Sequence, residues 1–237
     1  MLAAGRGERM RPLTDNCPKP LLYVGGRTML DRALDALEEI GVEEVIVNLH
    51  YLPGMIEEHL SSRKKPAITF SREEYLLETG GGVKHALSFF GNEPFFVLNA
   101  DVVWTDGPSG PTLRGMAAAW DPSKMDILFL LHPTENLPAY NGKGDYYLPE
   151  GSNVPQFRER CEKPANFIFA GPRICKPSIF TGSPEGSFSF LELFHKAEAA
   201  GKLCAYRHDG DWYHVGTPEA FDESNRTLTA KSQKRAS

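Results

Sequence analysis

A glycine-rich turn followed by two basic side chains stands at the start of the chain. Gly5 and Gly7, separated by one residue, follow a short apolar run, and Arg9 and Lys19 come after them. Glycines in such a turn let the backbone present its N–H groups to an approaching anion. Guanidinium and ammonium groups can then bind phosphate oxygens. A GxG pattern alone indicates only a turn with solvated arginines, but the joint spacing predicts a phosphate-binding loop over residues 2–20.

An aspartate stands at the end of a second apolar run. Asp101 follows residues 95–99, which predict a buried strand. In open α/β sheets, ligands bind beyond the carboxyl ends of the strands, so Asp101 lies on the expected side. Mg²⁺ is held by one or two carboxylates, waters and the phosphates of a ligand. The position makes Asp101 a candidate Mg²⁺ ligand, and a turn or helix cap is the alternative that this residue alone leaves open.

Other phosphate-binding patterns do not fit. Position 10 is Met, which breaks GxGxxG, and GxxxxGK[ST] does not occur. A dinucleotide-dependent oxidoreductase is therefore disfavoured. The histidines have no spacing typical of a metal cluster, and Gly-x-Ser-x-Gly does not occur.

The composition is that of a globular α/β protein. The chain has 237 residues, 41% of them hydrophobic, and a net charge of −5, so it is a poor general binder of nucleic acid. No apolar run approaches the ~20 residues needed to cross a bilayer, and the start lacks the layout of a signal peptide. The four cysteines are scattered without a CxxC pair. We therefore expect a cytoplasmic protein whose partners include neither nucleic acid nor membrane. The sequence does not predict an oligomeric state.

Short β-branched or aromatic runs alternate with stretches of helical period. Residues 2–4 predict the end of a first strand, and the other predicted strands span residues 44–49, 67–71, 95–99, 127–131, 166–170 and 203–208. The predicted helices span residues 29–40, 54–60 and 189–200, with others after Gly82 and from Thr217. This alternation predicts an α/β fold, Rossmann-like, with a mixed, mostly parallel sheet flanked by helices. We expect a single domain over residues 1–230 and a frayed polar tail over 231–237.

The phosphate loop resembles the signature LAxGxGTRLxPLT, followed by KP, of sugar-1-phosphate nucleotidyltransferases. Glu8 replaces the Thr of that signature. The resemblance implies the nucleotide-diphospho-sugar transferase type of fold, with a nucleotide-binding half over 1–130 and a sugar-binding half over 131–230. It implies a nucleoside triphosphate and a sugar 1-phosphate as partners, Mg²⁺ as cofactor, and Arg9, Lys19 and Asp101 as the catalytic residues. The nucleotide-binding residues would be Leu2, Ala3, Ala4, Gly5, Gly7, Arg9, Lys19, Glu78, Thr79, Gly80, Gly81 and Asn99.

Two further stretches extend the resemblance. The run around Glu162 and Lys163 is similar to an EKP motif that holds the sugar and its phosphate, and the sugar-phosphate residues would be Gly144, Asp145, Glu162, Lys163 and Asn166. The family usually has a second metal-binding Asp near the C-terminus, where this chain has His214. Imidazole is a weak ligand for Mg²⁺. Three interpretations stay open: Asp101 and the phosphates hold the metal, or Asp209 or Asp211 contributes, or His214 binds phosphate.

The form LETGGG at residues 77–82 is most similar to the subgroup that includes N-acetylmuramate-1-phosphate uridylyltransferases. This subgroup implies UTP and N-acetylmuramate 1-phosphate as substrates, in cell-wall sugar recycling. The alternatives are a mannose- or heptose-1-phosphate guanylyltransferase and, because of His214, a non-catalytic nucleotide-sugar-binding regulatory protein. The lactyl carboxylate of muramate calls for a basic partner, for which Arg72, Lys84 and Arg158 are the candidates.

Overall fold

The computed structural model describes residues 1–137 and 142–236. They divide into two compact units: the first comprises Met1–Leu77, Asn99–Val103 and the segment from Tyr213 onwards, and the second comprises Glu78–Leu98 and Trp104–Trp212. The helices are α1 Met29–Glu39, α2 Pro53–Leu60, α3 Glu78–His85, α4 Thr112–Ala119, α5 Leu191–Ala199 and α6 Pro218–Ala236. The strands are β1 Tyr23–Val24, β2 Arg27–Thr28, β3 Glu44–Leu49, β4 Ala67–Arg72, β5 Phe95–Val97, β6 Val103–Thr105, β7 Ile127–Pro133, β8 Tyr146–Tyr147, β9 Gln156–Phe157, β10 Phe167–Cys175, β11 Leu203–Arg207 and β12 Asp211–Tyr213.

A parallel strand pair supports the phosphate loop in the first unit. Strands β3 and β4 pair in parallel, and the backbone of Leu2 forms parallel bridges with Asn48 and Asn99. The predicted first strand is thus reduced to the bridges of Leu2. The core of this unit consists of apolar side chains from the loop, the helices and the C-terminal segment: Met10, Val24, Met29, Val103, Tyr213, Val215, Phe221 and Leu228.

Helix α1 shows how local sequence sets an element. The Thr28 side chain accepts a hydrogen bond of 3.0 Å from Asp31 N, which caps the helix. Its apolar stripe is buried, and Gly41 beyond its end has φ = +86°, a conformation that ends a helix without strain. The predicted helix at 29–40 is therefore confirmed to within one residue.

The second unit is built on a six-stranded mixed sheet. Its order is β11-β7-β10-β8-β9, and β5 pairs with β10. Strands β7 and β11 are parallel, whereas β10 is antiparallel to β5, β7 and β8. The aromatic rings of Phe129, Phe169 and Phe194 meet edge to face, so α5 is joined to one face of the sheet. The mixed α/β class with flanking helices is confirmed.

Several element boundaries differ from those predicted. Helix α3 begins at Glu78 and includes the glycines, instead of following them. The reason is tertiary: Gly80 and Gly81 N–H both donate to Phe188 O, and a Cβ at Gly80 would clash with Phe188. Strand β5 ends at Val97, two residues early, while β10 continues to Cys175.

The C-terminal helix is longer than predicted. Helix α6 continues through the expected frayed tail as far as Ala236, in a segment that contains neither Gly nor Pro after Pro218. Ser237 lies outside the described residues. Among the helices of the described chain, none combines the length and the apolar character needed to cross a membrane.

Candidate functional site

The phosphate loop is held in shape by its own polar contacts. Gly7 has φ = +64°, which favours glycine, and a Cβ there would lie 3.0 Å from Thr14 Cγ2. The Thr14 hydroxyl donates to Gly7 O at 2.9 Å, and Met10 N donates to the same oxygen at 2.8 Å. Met10 itself is buried in the core of the first unit. At Gly5, by contrast, a Cβ would meet no atom within 4 Å, so this part of the turn is open.

Lys19 and Asp101, two of the residues that the resemblance implies to be catalytic, lie together in the first unit. Lys19 Nζ is 2.7 Å from Asp101 Oδ2. The lysine is buried, with 8% of its surface exposed, whereas the side chain of Asp101 is 38% exposed. Lys19 begins a short 3₁₀ helix with Pro20, and Ala100 N donates to Leu2 O at 2.9 Å. These two local features bring the ammonium group of Lys19 and the carboxylate of Asp101 together at the phosphate loop.

His214 lies close enough to Lys19 and Arg9 to be affected by their charges. The residue is exposed, its backbone O accepts from Ser224 Oγ at 3.0 Å, and its ring lies against Gly216. Desolvation, followed by the positive charges of Lys19 and Arg9, lowers the pKa of His214 below its usual value. Arg9 is exposed. Within residues 1–137 and 142–236, no group of three or more His, Cys, Asp or Glu side chains is arranged to hold a metal ion.

The glycine-rich segment belongs to the second unit. Glu78 has φ = +58° at the start of α3. Thr79 does not cap this helix: its Oγ1 accepts a hydrogen bond of 2.9 Å from Phe190 N. Gly80 and Gly81 donate to Phe188 O at 2.9 Å and 3.1 Å, so the segment is anchored to the residues before α5.

The predicted sugar-side residues also lie in the second unit, and several have structural contacts. Asp145 Oδ2 accepts from Phe169 N at 3.0 Å, and Asn166 Oδ1 accepts from Leu148 N at 3.1 Å. Gly144 has φ = +67°, and a Cβ there would lie 2.6 Å from a backbone oxygen. Lys163 Nζ contacts the hydroxyl of Tyr147 at 3.2 Å, and Glu162 is exposed.

A cavity of about 830 Å³ lies in this unit, a size suited to a small ligand. Asn166 and Tyr147 both line it. The wall also includes Arg207, whose guanidinium lies over the ring of Phe167 at 5.5 Å and contacts Glu135 at 3.5 Å. The cavity is therefore lined by Asn166, a predicted sugar-side residue, and by Tyr147, which contacts Lys163, another predicted sugar-side residue.

Two buried polar residues of the first unit were not among the predicted site residues. Asn48 Oδ1 accepts from Ala3 N at 2.7 Å, and Glu73 Oε2 accepts from Leu77 N at 3.0 Å. One signal was present in the sequence: Asn48 interrupts the apolar run of residues 45–49. Its partner gave no comparable signal, since Glu73 stands beside Glu74 in a polar stretch.

A basic glycine turn beside a strand-end carboxylate, on a mixed α/β scaffold, is typical of proteins that handle phosphorylated ligands. The chain belongs to the nucleotidyl transferase family, whose model matches residues 1–231. It is therefore an enzyme that transfers a nucleotide, as the signature at residues 2–20 predicted.

Two relatives are similar over nearly their whole length. The N-acetylmuramate alpha-1-phosphate uridylyltransferase of Caulobacter vibrioides is 40% identical over 93% of this chain and 92% of its own. The protein with the same name from Neisseria meningitidis serogroup B is 36% identical, with 92% of each chain covered. A solved UDP-glucose pyrophosphorylase from Acinetobacter baumannii has the same fold, with a TM-score of 0.80 at 19% identity, over 100% of this chain and 96% of its own.

Proposed function

We propose that the chain joins UTP to N-acetylmuramate 1-phosphate and releases pyrophosphate. The observation that carries this proposal is the contact between Lys19 and Asp101 at the phosphate loop, 2.7 Å long. The names of the two relatives at 40% and 36% identity support the uridylyl group and the muramate acceptor. They favour this pair of substrates over the mannose- or heptose-1-phosphate guanylyltransferase alternative.

The reaction would be an in-line displacement. An oxygen of the sugar 1-phosphate attacks the α-phosphorus of UTP, a new P–O bond forms, and the bond to the β-phosphate breaks as pyrophosphate leaves. Such transfers depend on positioning and charge neutralisation more than on covalent catalysis. Lys19 and Arg9 would neutralise the charge that develops on the triphosphate. Gly5 and Gly7 would contribute backbone N–H donors, because the open turn at Gly5 leaves room for phosphate.

The residues of the first unit fit a bound Mg²⁺ with a small protein ligand set. One partly exposed carboxylate, Asp101, suits an ion that keeps several waters and takes its other ligands from phosphates. When bound, Mg²⁺ would act as a Lewis acid on the phosphate oxygens. Asp209 and Asp211 have contacts to Ser109 N and Thr105 Oγ1, respectively, which supports a structural role for both.

His214 would act on the phosphate side instead of as a metal ligand. Lys19 and Arg9 lie close enough to lower its pKa, so it belongs to the group of side chains that would surround the triphosphate. A neutral imidazole can donate one hydrogen bond to a phosphate oxygen. This role explains how a histidine can stand where the family usually has aspartate.

The second unit would hold the uracil and the sugar. Glu78, Thr79, Gly80 and Gly81 would face the base, with the backbone anchored by Phe188 O. The sugar 1-phosphate would occupy the cavity lined by Asn166 and Tyr147. Lys163, whose Nζ contacts the Tyr147 hydroxyl, would bind the phosphate of this acceptor.

The lactyl carboxylate of muramate would be bound by Arg158. Arg158 Nη1 donates to Gly144 O at 2.9 Å, which ties it to a predicted sugar-side residue. Arg72 is instead paired with Glu57, and Lys84 Nζ contacts Ser183 O, Pro184 O and Glu185. With muramate as acceptor, the enzyme would act in cell-wall sugar recycling in the cytoplasm.

Pyrophosphate release tests this function. UTP, dTTP, GTP, CTP and ATP would each be combined with N-acetylmuramate, N-acetylglucosamine, glucose and mannose 1-phosphates in the presence of Mg²⁺. We expect release that requires UTP and is fastest with N-acetylmuramate 1-phosphate. Release only with GTP and mannose 1-phosphate would support the guanylyltransferase. Binding of UTP without release from any pair would support a regulatory protein and would contradict the proposal.

A further inference from the structure

Two buried polar side chains of the first unit are bonded to each other. Asn48 Nδ2 donates to Glu73 Oε1 at 2.5 Å, and the two residues have 5% and 6% of their surface exposed. Asn48 lies on β3, and Glu73 directly follows β4. Burying a carboxylate and an amide is costly unless their hydrogen bonds are made. This pair makes them in a way that reaches two separate loops.

The outer ends of the pair bind backbone N–H groups. Asn48 Oδ1 accepts from Ala3 N at 2.7 Å, and Glu73 Oε2 accepts from Leu77 N at 3.0 Å. Ala3 belongs to the phosphate loop, and Leu77 directly precedes Glu78. A continuous chain of three hydrogen bonds therefore runs from the phosphate loop to the turn that leads into the glycine-rich segment.

The strands fix both side chains in place. Asn48 is paired with Ser71, and Leu49 with Arg72, in the parallel register of β3 and β4. Glu73 N donates to Leu49 O at 2.8 Å, which extends the pairing by one residue. The two loops are thus attached to a rigid frame, and the side-chain relay sets their distance from it.

We infer that Asn48 and Glu73 are positioning residues for the nucleotide, a role that rests on the proposed function. They touch no reacting atom. They hold the backbone of Ala3 and Leu77 so that the phosphate loop and the following turn keep the geometry that binds the triphosphate. A misplacement of about 1 Å in such a site can cost about 100-fold in rate.

Single substitutions each break the relay in a defined way. With Glu73→Gln, the new amide has one acceptor oxygen, which cannot serve both Asn48 Nδ2 and Leu77 N, so a donor faces a donor. With Asn48→Asp, the new carboxylate still accepts from Ala3 N but faces the carboxylate of Glu73 in a buried place. Each single variant is nearly the same size as the original residue, so side-chain volume is unchanged.

The two substitutions together restore every bond. In Asn48→Asp/Glu73→Gln, the carboxylate at position 48 accepts from Ala3 N and from the amide NH₂ at position 73. The amide oxygen at position 73 accepts from Leu77 N. The negative charge moves from one residue to the other, and the relay is complete again.

The matched control is Glu44→Gln. Glu44 also lies on β3 and accepts a cross-strand hydrogen bond, of 3.0 Å, from Thr69 Oγ1 on β4, but it is exposed and bonded to neither loop. It therefore reports the effect of losing a carboxylate from the same strand pair without any effect on the relay.

The test is steady-state pyrophosphate release by the full chain, with KM measured separately for UTP and for the sugar 1-phosphate. We expect each single variant to raise the KM for UTP at least tenfold and to change the KM for the sugar phosphate less than twofold. The double variant should return the KM for UTP to within threefold of wild type, and Glu44→Gln should have no effect. A double variant no better than the worse single variant would overturn the inference, as would single variants with unchanged UTP KM.

A second measurement separates this inference from the proposed function. Amide hydrogen exchange at Ala3 and Leu77 reports the relay even if the wild type releases no pyrophosphate. Exchange should rise in each single variant and fall again in the double variant. If it is unchanged in the single variants, the relay does not hold the loops, whatever the activity. If a single variant does not fold, a double variant that folds and has wild-type exchange at Ala3 and Leu77 supports the relay. A double variant that also fails to fold, or that exchanges faster at both amides, overturns it.

Discussion

Lys19 and Asp101 are 82 residues apart in the chain, and the contact between Nζ and Oδ2 is 2.7 Å long. The pair joins the phosphate loop to the segment Asn99–Val103, both of which belong to the first unit. The lysine is buried and the aspartate is partly open, so the pair presents a carboxylate to solvent while its cation is held in the protein.

Removal of either charge should abolish most turnover. We expect Lys19→Met and Asp101→Asn each to lower kcat about 100-fold or more, since the loss of one electrostatic contact to a transition state costs about this much. The matched control is Lys176→Met, which breaks another Lys–Asp contact, 2.6 Å long, to Asp126 in the second unit. Initial rates at saturating UTP and sugar phosphate would check this. Rates within threefold of wild type in folded variants would contradict the assigned roles.

The second unit should lose stability in mild acid because of a buried histidine pair. His132 and His208 face each other through their Nδ1 atoms at 3.0 Å, and both are almost fully buried. Burial, followed by the charge of His208, lowers the pKa of His132 to about 4. The unfolded chain, with a pKa near 6.5, binds its proton first as the pH falls. Stability is therefore complete above about pH 6.5 and is lost towards pH 4, by roughly 2 kcal/mol at pH 5 from His132 alone.

Urea unfolding at pH 7.5, 6.0 and 5.0 would measure this loss. His132→Phe should flatten the dependence on pH, because the buried ring can no longer take up a proton. His85→Gln serves as the control for the replacement of a histidine, since His85 is exposed. The same slope in wild type and His132→Phe would show that other groups cause the acid sensitivity.

The glycine at position 80 should not tolerate a methyl group. A Cβ there would lie 2.4 Å from Phe188 Cε2 and 2.9 Å from Phe188 O. The second atom belongs to the backbone, which cannot move away as easily as a side chain. We expect Gly80→Ala to lower the free energy of unfolding by about 1–3 kcal/mol through overpacking. Gly54→Ala is the control: it lies in α2 with no atom within 4 Å of the added Cβ, and it should be neutral or slightly stabilising. Equal thermal midpoints for the two variants would refute this prediction.

The sequence predicted elements and loops better than long-range side-chain contacts. The predicted strand at 44–49 is confirmed. It could be predicted because a short, nearly continuous apolar run is typical of a strand buried on both faces of a sheet. The start of α3 at Glu78 was missed because it depends on Phe188, a residue more than a hundred positions away. The partner of Asn48 was equally hidden, since nothing in the residues around Glu73 distinguishes a buried carboxylate from an exposed one. Periodicity reports burial within one element, whereas these contacts arise only when elements meet.

Arg158 should decide between acidic and neutral sugars. Its guanidinium donates to Gly144 O at 2.9 Å while the residue remains exposed, so further N–H groups can reach a ligand carboxylate. We expect Arg158→Gln to lower kcat/KM for N-acetylmuramate 1-phosphate about 10- to 100-fold, because a site built for a charge loses its main partner. The value for N-acetylglucosamine 1-phosphate, which lacks the lactyl carboxylate, should change less than threefold.

The ratio of the two kcat/KM values is the deciding measurement, since damage to folding would lower both. Arg72→Gln is the matched control, because this exposed arginine is bonded to Glu57 at 2.7 Å. It should leave the ratio unchanged. If Arg72→Gln lowers the ratio and Arg158→Gln does not, the carboxylate is bound at Arg72 instead. If neither variant alters the ratio, the lactyl group is recognised by a residue other than these two arginines, and Lys84 becomes the next substitution to make.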